Sequence, residues 1–296
     1  MKMLVFRRIQ GLLIALIMGS TAVLAIGGSP QESAAKKLST ASLLKLFVEE
    51  CVAITPGTEP FPKSFQMGGP IDGPLAAVAR EVEMKTSFRI SRYEVTQELY
   101  RAVTGINPSR WKGDRNSVEM VSFQDAQQFC ARLTILLQSE KLLTDKELVR
   151  LPTEAEWEYS CRAGTNSQFS FGDSATAEGD QENIASLLND YAWHTGNAAG
   201  NDPVVGALKP NPWGLYDAHG YLWEYVSDSY TAPAFALDEP TTSLKNTSPT
   251  GNAARIIRGG SWRDHHSLLT SHSRMLIPAY AGSDAIGFRC VIETLP

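Results

Sequence analysis

No two of the four cysteines, Cys51, Cys130, Cys161 and Cys290, stand in a CxxC pair. That argues against a zinc knuckle, which draws its thiolates from such pairs. A run of lysine and arginine is also missing: 27 basic residues stand against 32 acidic ones, a net charge of −5. The chain offers no basic face for phosphate, which removes nucleic acid as a partner, and no polybasic segment suggests a membrane surface. No internal repeat is found, so solenoid and propeller architectures drop out. Beyond the N-terminal segment there is no apolar run long enough for a bilayer, so no span is expected once that segment is removed.

The N-terminal segment itself is distinctive. Lys2, Arg7 and Arg8 precede an apolar stretch that opens at Leu12 and runs to Ile26, and Val23-Leu24-Ala25 supplies small residues near its end. This is the pattern of a secretory signal, with cleavage expected after Ala25. Its apolar run, about 15 residues, is short for a span of about 20. The chain is therefore expected to be exported, to a periplasm or to the outside. An oxidising compartment permits disulfides, but four cysteines allow several pairings and spacing does not choose among them.

The rest has the composition of a protein with a real core, 43% hydrophobic and 20% charged. Residues 1–25 are assigned to the signal, 26–50 to a linker and short helix, and 51–296 to one domain. Residues 40–52 place Leu43, Leu44, Phe47 and Val48 on one helical side. Thr96 caps a helix that Gly105 stops. Ser122 precedes another, with Ala126, Phe129, Cys130 and Leu133 on one face. Thr153-Glu154-Ala155-Glu156 is a capping box that starts the clearest helix, stopped by Gly164. Short strands are expected over residues 87–90, 255–258 and 287–291, and residues 165–254 are expected to be mostly loop. A loop-rich domain of this kind calls for added staples, such as disulfides or bound ions.

Seven blocks in order carry a resemblance. They are Arg92-Tyr93-Glu94-Val95-Thr96, Val121-Ser122-Phe123-Gln124-Asp125-Ala126, Arg150-Leu151-Pro152-Thr153-Glu154-Ala155-Glu156-Trp157-Glu158-Tyr159, Asn211-Pro212-Trp213-Gly214-Leu215-Tyr216-Asp217, Gly220-Tyr221-Leu222-Trp223-Glu224-Tyr225, Arg258-Gly259-Gly260-Ser261-Trp262 and Gly287-Phe288-Arg289-Cys290. The series resembles the formylglycine-generating enzyme, or sulfatase-modifying factor, superfamily. The resemblance implies an α+β fold, the formylglycine-generating-enzyme variant of the C-type lectin fold, with little regular secondary structure.

It also implies sites. The family's copper is held by two cysteines after the Gly-Gly-Ser-aromatic block, and copper(I) asks for soft thiolates. The matching positions here are Asp264 and Leu269, so copper is not expected and no catalytic residue is assigned. Cys161 and Cys290 are matched to a family disulfide. Asp217, Gly220, Leu222 and Glu224 match a calcium site, two carboxylates and two carbonyls for a hard ion. The other reading of those two acids is a turn cap or an arginine pair. Asp264-His265-His266 could ligate a metal, but neighbours in a strand face opposite sides, which favours a solvated rim. Trp262, Asp264, His266 and Arg274 are the pocket candidates, with Trp223, Trp193 and Tyr225 either lining a groove or filling the core. His194 and His219 are read as packing residues. Arg258 and Arg289 are expected to pair with Glu156 or Glu158.

Three functional readings follow. The first is an exported binding or accessory module for a peptide, a glycan or an exported sulfatase. The second is a divergent metal-dependent oxidoreductase, and the third a formylglycine-generating oxidase acting on sulfatase cysteines. Fold alone does not choose among them.

Overall fold

In a computed structural model the described residues are 37–69, 78–181, 184–199, 202–229 and 254–296. The signal segment and its cleavage point lie outside them. Helix α1 (Thr40–Glu49) is capped by the Ser39 hydroxyl, which accepts from the Ser42 N–H. It turns its Leu43, Leu44 and Phe47 face into the main core beside Leu99, Phe129 and Phe288. The helix expected as a prelude to the domain is thus packed into it.

The chain then enters β1 (Cys51–Ile54), the two-stranded ribbon β2 (Ser64–Met67) and β3 (Arg80–Glu83), and β4 (Phe88–Ser91). Helix α2 (Gln97–Thr104) is capped by Thr96 and ends at Gly105, whose φ of 84° is the left-handed turn that glycine allows. Helix α3 (Phe123–Ser139) starts in a capping box between Ser122 and Asp125. After β5 (Glu147–Arg150), helix α4 (Glu154–Arg162) starts in the Thr153–Glu156 box read from the sequence. Its C-cap is Ala163, left-handed at φ 48°, with Gly164 following.

One sheet has the order β1-β4-β10-β5, where β10 is Val291–Thr294, and all its pairings are antiparallel. The other joins β8 (Arg274–Pro278), β7 (Ala254–Arg258), β6 (Trp223–Ser229) and β9 (Ile286–Gly287) in that order. The single strand expected over 287–291 is in fact two, β9 and β10, in different sheets. Residues 288–290 cross between them, and Phe288 and Cys290 are fully buried there. Phe288 packs edge-on to Phe129 and Tyr100, so the crossing plugs the core beneath α2 and α3. This arrangement, short strands joined by long structured loops, is the α+β architecture expected.

Candidate functional site

Helix α4 is amphipathic in an unusual sense: its inner face carries Glu154 and Glu158 beside Trp157 and Cys161, all buried. Buried carboxylates need partners. Glu158 Oε2 accepts from the Arg258 guanidinium at 2.5 Å, and Oε1 accepts from Arg162 Nε at 2.8 Å and from the Gly68 N–H at 2.7 Å. Glu154 lies 3.0 Å from Arg274 Nε and 3.6 Å from Arg258. Burial raises the Glu154 carboxyl against the pull of both arginines. Arg274, expected at a pocket, is therefore part of this ionic floor. Glu156 faces the other way and takes Arg150 in a two-point pair at 2.6 and 2.7 Å.

Arg289 corrects one expectation. It pairs with Glu224 of β6, at 2.6 Å to each oxygen, and not with an acid of α4. The strand crossing at 288–290 carries it to the far side of Trp157, whose indole N–H also donates to Glu224 at 2.9 Å. Of the two readings of Glu224, the structure shows the arginine pair.

Glu94 and Asp217 flank this pair. The Asp217 Oδ2 accepts from the Gly206 N–H and its Oδ1 has no protein partner. Glu94 Oε1 accepts from the Leu222 N–H and its Oε2 has none. Both residues are buried. Burial, followed by Glu224 and Asp217, pushes Glu94 well above the usual carboxylate range. Burial pushes Asp217 up to about 6. The loop between them turns through left-handed residues, Asp217 at φ 55°, Gly220 at 142° and Tyr221 at 103°. Gly220 is required: a Cβ there would lie 2.8 Å from the Trp193 carbonyl and 2.4 Å from Leu269. The fit to calcium is therefore divided. Asp217 offers a free buried oxygen of the right kind beside an excess of negative charge, while Glu224 is committed to Arg289. Among the described residues no group of three His, Cys, Asp or Glu side chains has metal-holding geometry.

The segment after Gly259-Gly260 is where chemistry would be sought. The Asp264 Oδ2 accepts from the Ser261 N–H at 3.0 Å, the Ser261 hydroxyl at 2.5 Å and the Trp223 indole N–H at 2.8 Å. It is a turn cap that also anchors a core tryptophan. Leu269 is fully buried, packed with Phe169, Ala185 and Leu188. The pocket candidates do not converge. Asp264 faces inward, Arg274 lies on the α4 floor, and Trp262 donates its indole N–H to the Asp284 carbonyl at 2.9 Å. His266 starts a 3-10 turn (His266–Leu268) against the rings of His265 and His194. Trp223 and Tyr225 are core residues.

His194 and His219 are packing residues, as read. His194 Nδ1 accepts from the Gly196 N–H, which leaves Nε2 to donate to Asn189 Oδ1 at 2.8 Å. His219 Nε2 accepts from the Ser170 N–H, so its Nδ1 donates to the Leu269 carbonyl. Burial holds both imidazoles down, to about 4.

The disulfide expectation is also corrected. All four cysteines are free thiols, and the neighbour of the Cys290 Sγ is Cys130, at 3.8 Å. Cys161 sits in a separate cluster with Ala218 and Val226, where its thiol donates to the Ala218 carbonyl at 3.2 Å. The last strand, β10, pairs with β5, and the apolar face of α3 carries Cys130 beneath the 288–290 crossing. Burial pushes the Cys51 and Cys161 thiols up to about 12 and raises Cys290 well above the usual thiol range, so none of these three is a thiolate at neutral pH.

An α+β pair of short-stranded sheets, joined by long structured loops over a buried ionic floor, is a scaffold of the C-type-lectin-like kind. Residues 44–294 match the family model for the sulfatase-modifying factor enzyme 1-like domain, and the chain belongs to that family. It is 32% identical over 153 residues to a formylglycine-generating enzyme of Thermomonospora curvata, covering 49% of this chain and 50% of that one. It is 29% identical over 210 residues to the chaperone protein LppX of Paenibacillus barcinonensis, covering 60% and 70%. It is 30% identical over 152 residues to the inactive C-alpha-formylglycine-generating enzyme 2 of Mus musculus, covering 48% and 42%. Among solved structures it superposes on Treponema denticola variable protein 1 with a TM-score of 0.65 at 25% identity, over 83% of this chain and 95% of that one. The chain thus spans about half the length of the formylglycine-generating enzyme it matches.

Proposed function

We propose that this chain is a non-copper member of its family, exported and acting as a binding or accessory module. The observation that carries the reading is the state of positions 264 and 269. Asp264 spends its carboxylate on Ser261 and Trp223, and Leu269 is a core hydrophobe with no donor atom. Copper(I) needs soft ligands at those places, and the buried thiols elsewhere are held protonated. Relatives described as inactive and as a chaperone make a non-catalytic use of the scaffold a natural one.

Export rests on the N-terminal pattern of Lys2, Arg7, Arg8 and the apolar run. No helix of the described residues is long and apolar enough to cross a membrane. Calcium is proposed as a structural ion held by Asp217, the carbonyls of Gly220 and Leu222, and Glu224, which shares its carboxylate with Arg289 and so adds no net charge. It would neutralise the surplus of carboxylates and supply no chemistry. The partner is proposed to be a peptide, a glycan or an exported sulfatase.

Two measurements test this. Sequencing the N-terminus of the exported protein should begin at Ile26; a chain retaining Met1 would remove the export reading. Elemental analysis should find calcium and no stoichiometric copper or iron. Stoichiometric transition metal, together with an activity lost in His266→Ala, would favour the oxidoreductase reading.

A further inference from the structure

One surface lies outside the ionic floor and the 264–269 segment. The loop between α2 and α3 presents Arg110 and Trp111, and the turn after Ser261 presents Trp262 and Arg263. Each arginine lies over its neighbouring indole, Arg110 4.9 Å from the Trp111 centroid and Arg263 4.7 Å from the Trp262 centroid. Both guanidiniums bond the same atom, Asp284 Oδ2, at 3.1 and 2.6 Å. Asp284 is buried, while the arginine side chains are 61% and 48% exposed. Two guanidiniums therefore stand side by side on one anchored carboxylate oxygen, with most of their donors turned to solvent.

The Trp111 backbone and the Trp262 indole are held as firmly. Trp111 donates its backbone N–H to Glu119 at 2.9 Å, and its carbonyl accepts from Gln97 Nε2 at 2.7 Å; both of those side chains are buried. Gln97 also accepts from Asn107 and from the Gly113 N–H, which fixes the loop on either side. Trp262 donates its backbone N–H to the Tyr221 carbonyl and its indole N–H to the Asp284 carbonyl. Nevertheless the Trp111 ring remains 46% exposed. Buried polar groups are thus used to hold an apolar plate in water, which no packing requirement asks for. Lys112, next in the chain, donates to the Asn107 carbonyl at 2.9 Å. On a chain of net charge −5 the clamp itself sets two guanidiniums against one carboxylate.

We propose that this clamp binds a saccharide carrying an anionic substituent, a carboxylate or a sulfate ester. The paired guanidiniums take the anion with charge-assisted bonds, and a pyranose ring lays its C–H face on the indole. An acidic peptide without proline or aromatic residues has no such face to offer. The inference rests on the reading of the chain as a binding module and names the chemistry of its ligand.

The test is titration of the full chain, followed by tryptophan fluorescence and calorimetry, with four probes: a sulfated heparin hexasaccharide, a galacturonic acid hexamer, neutral cellohexaose and a hexaglutamate peptide. At least one acidic sugar should bind and be weakened by salt, and which one binds separates sulfate from carboxylate. Arg110→Ala/Arg263→Ala should weaken it about tenfold or more, the loss of one or two charged hydrogen bonds. Because the double variant leaves the buried Asp284 without a cation and lowers the melting temperature, binding is read well below that temperature. Arg110→Ala alone, which keeps Arg263 on Asp284, should weaken binding with little change in unfolding. Trp111→Ala should weaken it too and abolish the fluorescence change. The proposal is overturned if neither acidic sugar binds, if the double variant binds as the parent does, or if cellohexaose or hexaglutamate binds equally well. Such a failure leaves the binding-module reading standing, whereas turnover of a sulfatase cysteine would sink that reading and leave the clamp to stand on its own titration.

Discussion

The floor beneath α4 and the Ser261–Leu269 turn both place polar groups close to the core, and they do so in opposite ways. In the floor, Glu158 holds Arg258, Arg162 and the Gly68 N–H at once, and its side chain and those of Arg258 and Arg162 are almost wholly buried. In the turn, Asp264 collects neighbours within three residues plus a single distant indole, and Arg263 beside it reaches solvent. A network that joins β7, α4 and the 68–69 turn fixes three elements relative to one another. The turn is tied outward by separate single bonds, to the Trp223 indole, to Asp284 and to the Thr195 N–H. The floor thus fixes several elements through one carboxylate, whereas the turn is held at several independent points.

That contrast can be broken most severely at Arg258. Arg258→Leu removes the cation that Glu158 and Glu154 share and leaves each with one arginine, Arg162 and Arg274; the loss of one partner of a buried pair costs about 3–5 kcal/mol. Urea unfolding should show a drop of that size; a change under about 1 kcal/mol would mean that the floor is not the fold's anchor.

Acid should act on both regions. His194 and His219 are neutral in the fold down to about pH 4 and take protons near pH 6.5 when unfolded. Their depressed folded values give stability that is complete above about 6.5 and is lost as the pH falls toward 4. Thermal melts from pH 8 to pH 4 should fall across that window, and a His194→Gln/His219→Gln chain should fall less.

Asp217 works in the other sense. Its raised carboxyl favours the fold at low pH, and that contribution is lost as the pH rises through about 6. Asp217→Asn should therefore stabilise the calcium-free chain at pH 7 by about 1–3 kcal/mol, the cost of an ionised buried group without a partner. With calcium added the ranking should reverse. If added calcium does not change the ranking, the proposed ion is not there.

The smallest effects belong to the turn. Asp264→Ala leaves the Trp223 indole N–H unsatisfied and should cost about 1–2 kcal/mol, whereas Arg263→Ala, at a half-exposed side chain, should stay within about 0.5 kcal/mol. Equal effects in chemical denaturation would erase the distinction between inward and outward members of the turn.

Local signals were the most readable in the sequence. Thr96, Ser122 and Thr153 each announced a helix because a cap needs one hydroxyl and a few residues of spacing. The Arg258–Glu158 pair was also foreseen. Partners set by the crossing of chain between sheets were not. Arg289 reaches Glu224, and Cys290 reaches Cys130, because residues 288–290 leave one sheet and enter the other, and nothing in their local pattern separates that from one continuous strand. Strands such as β2 and β3 were missed for a related reason: they are four residues long, and Arg80–Glu83 is mostly exposed, so the alternation that marks a half-buried strand never develops. The Arg110–Arg263 clamp was invisible because its two halves lie far apart in sequence and meet on Asp284. The free oxygens of Asp217 and Glu94 could be found only once their backbone partners were placed.

The central claim is that the chain keeps the scaffold without the oxidase chemistry. Co-expression with an exported sulfatase carrying Cys-x-Pro-x-Arg, followed by mass spectrometry of that cysteine, tests it most directly. The account expects the cysteine to remain unmodified in the presence of copper, as it does without this chain. Conversion to formylglycine that depends on this chain would contradict it.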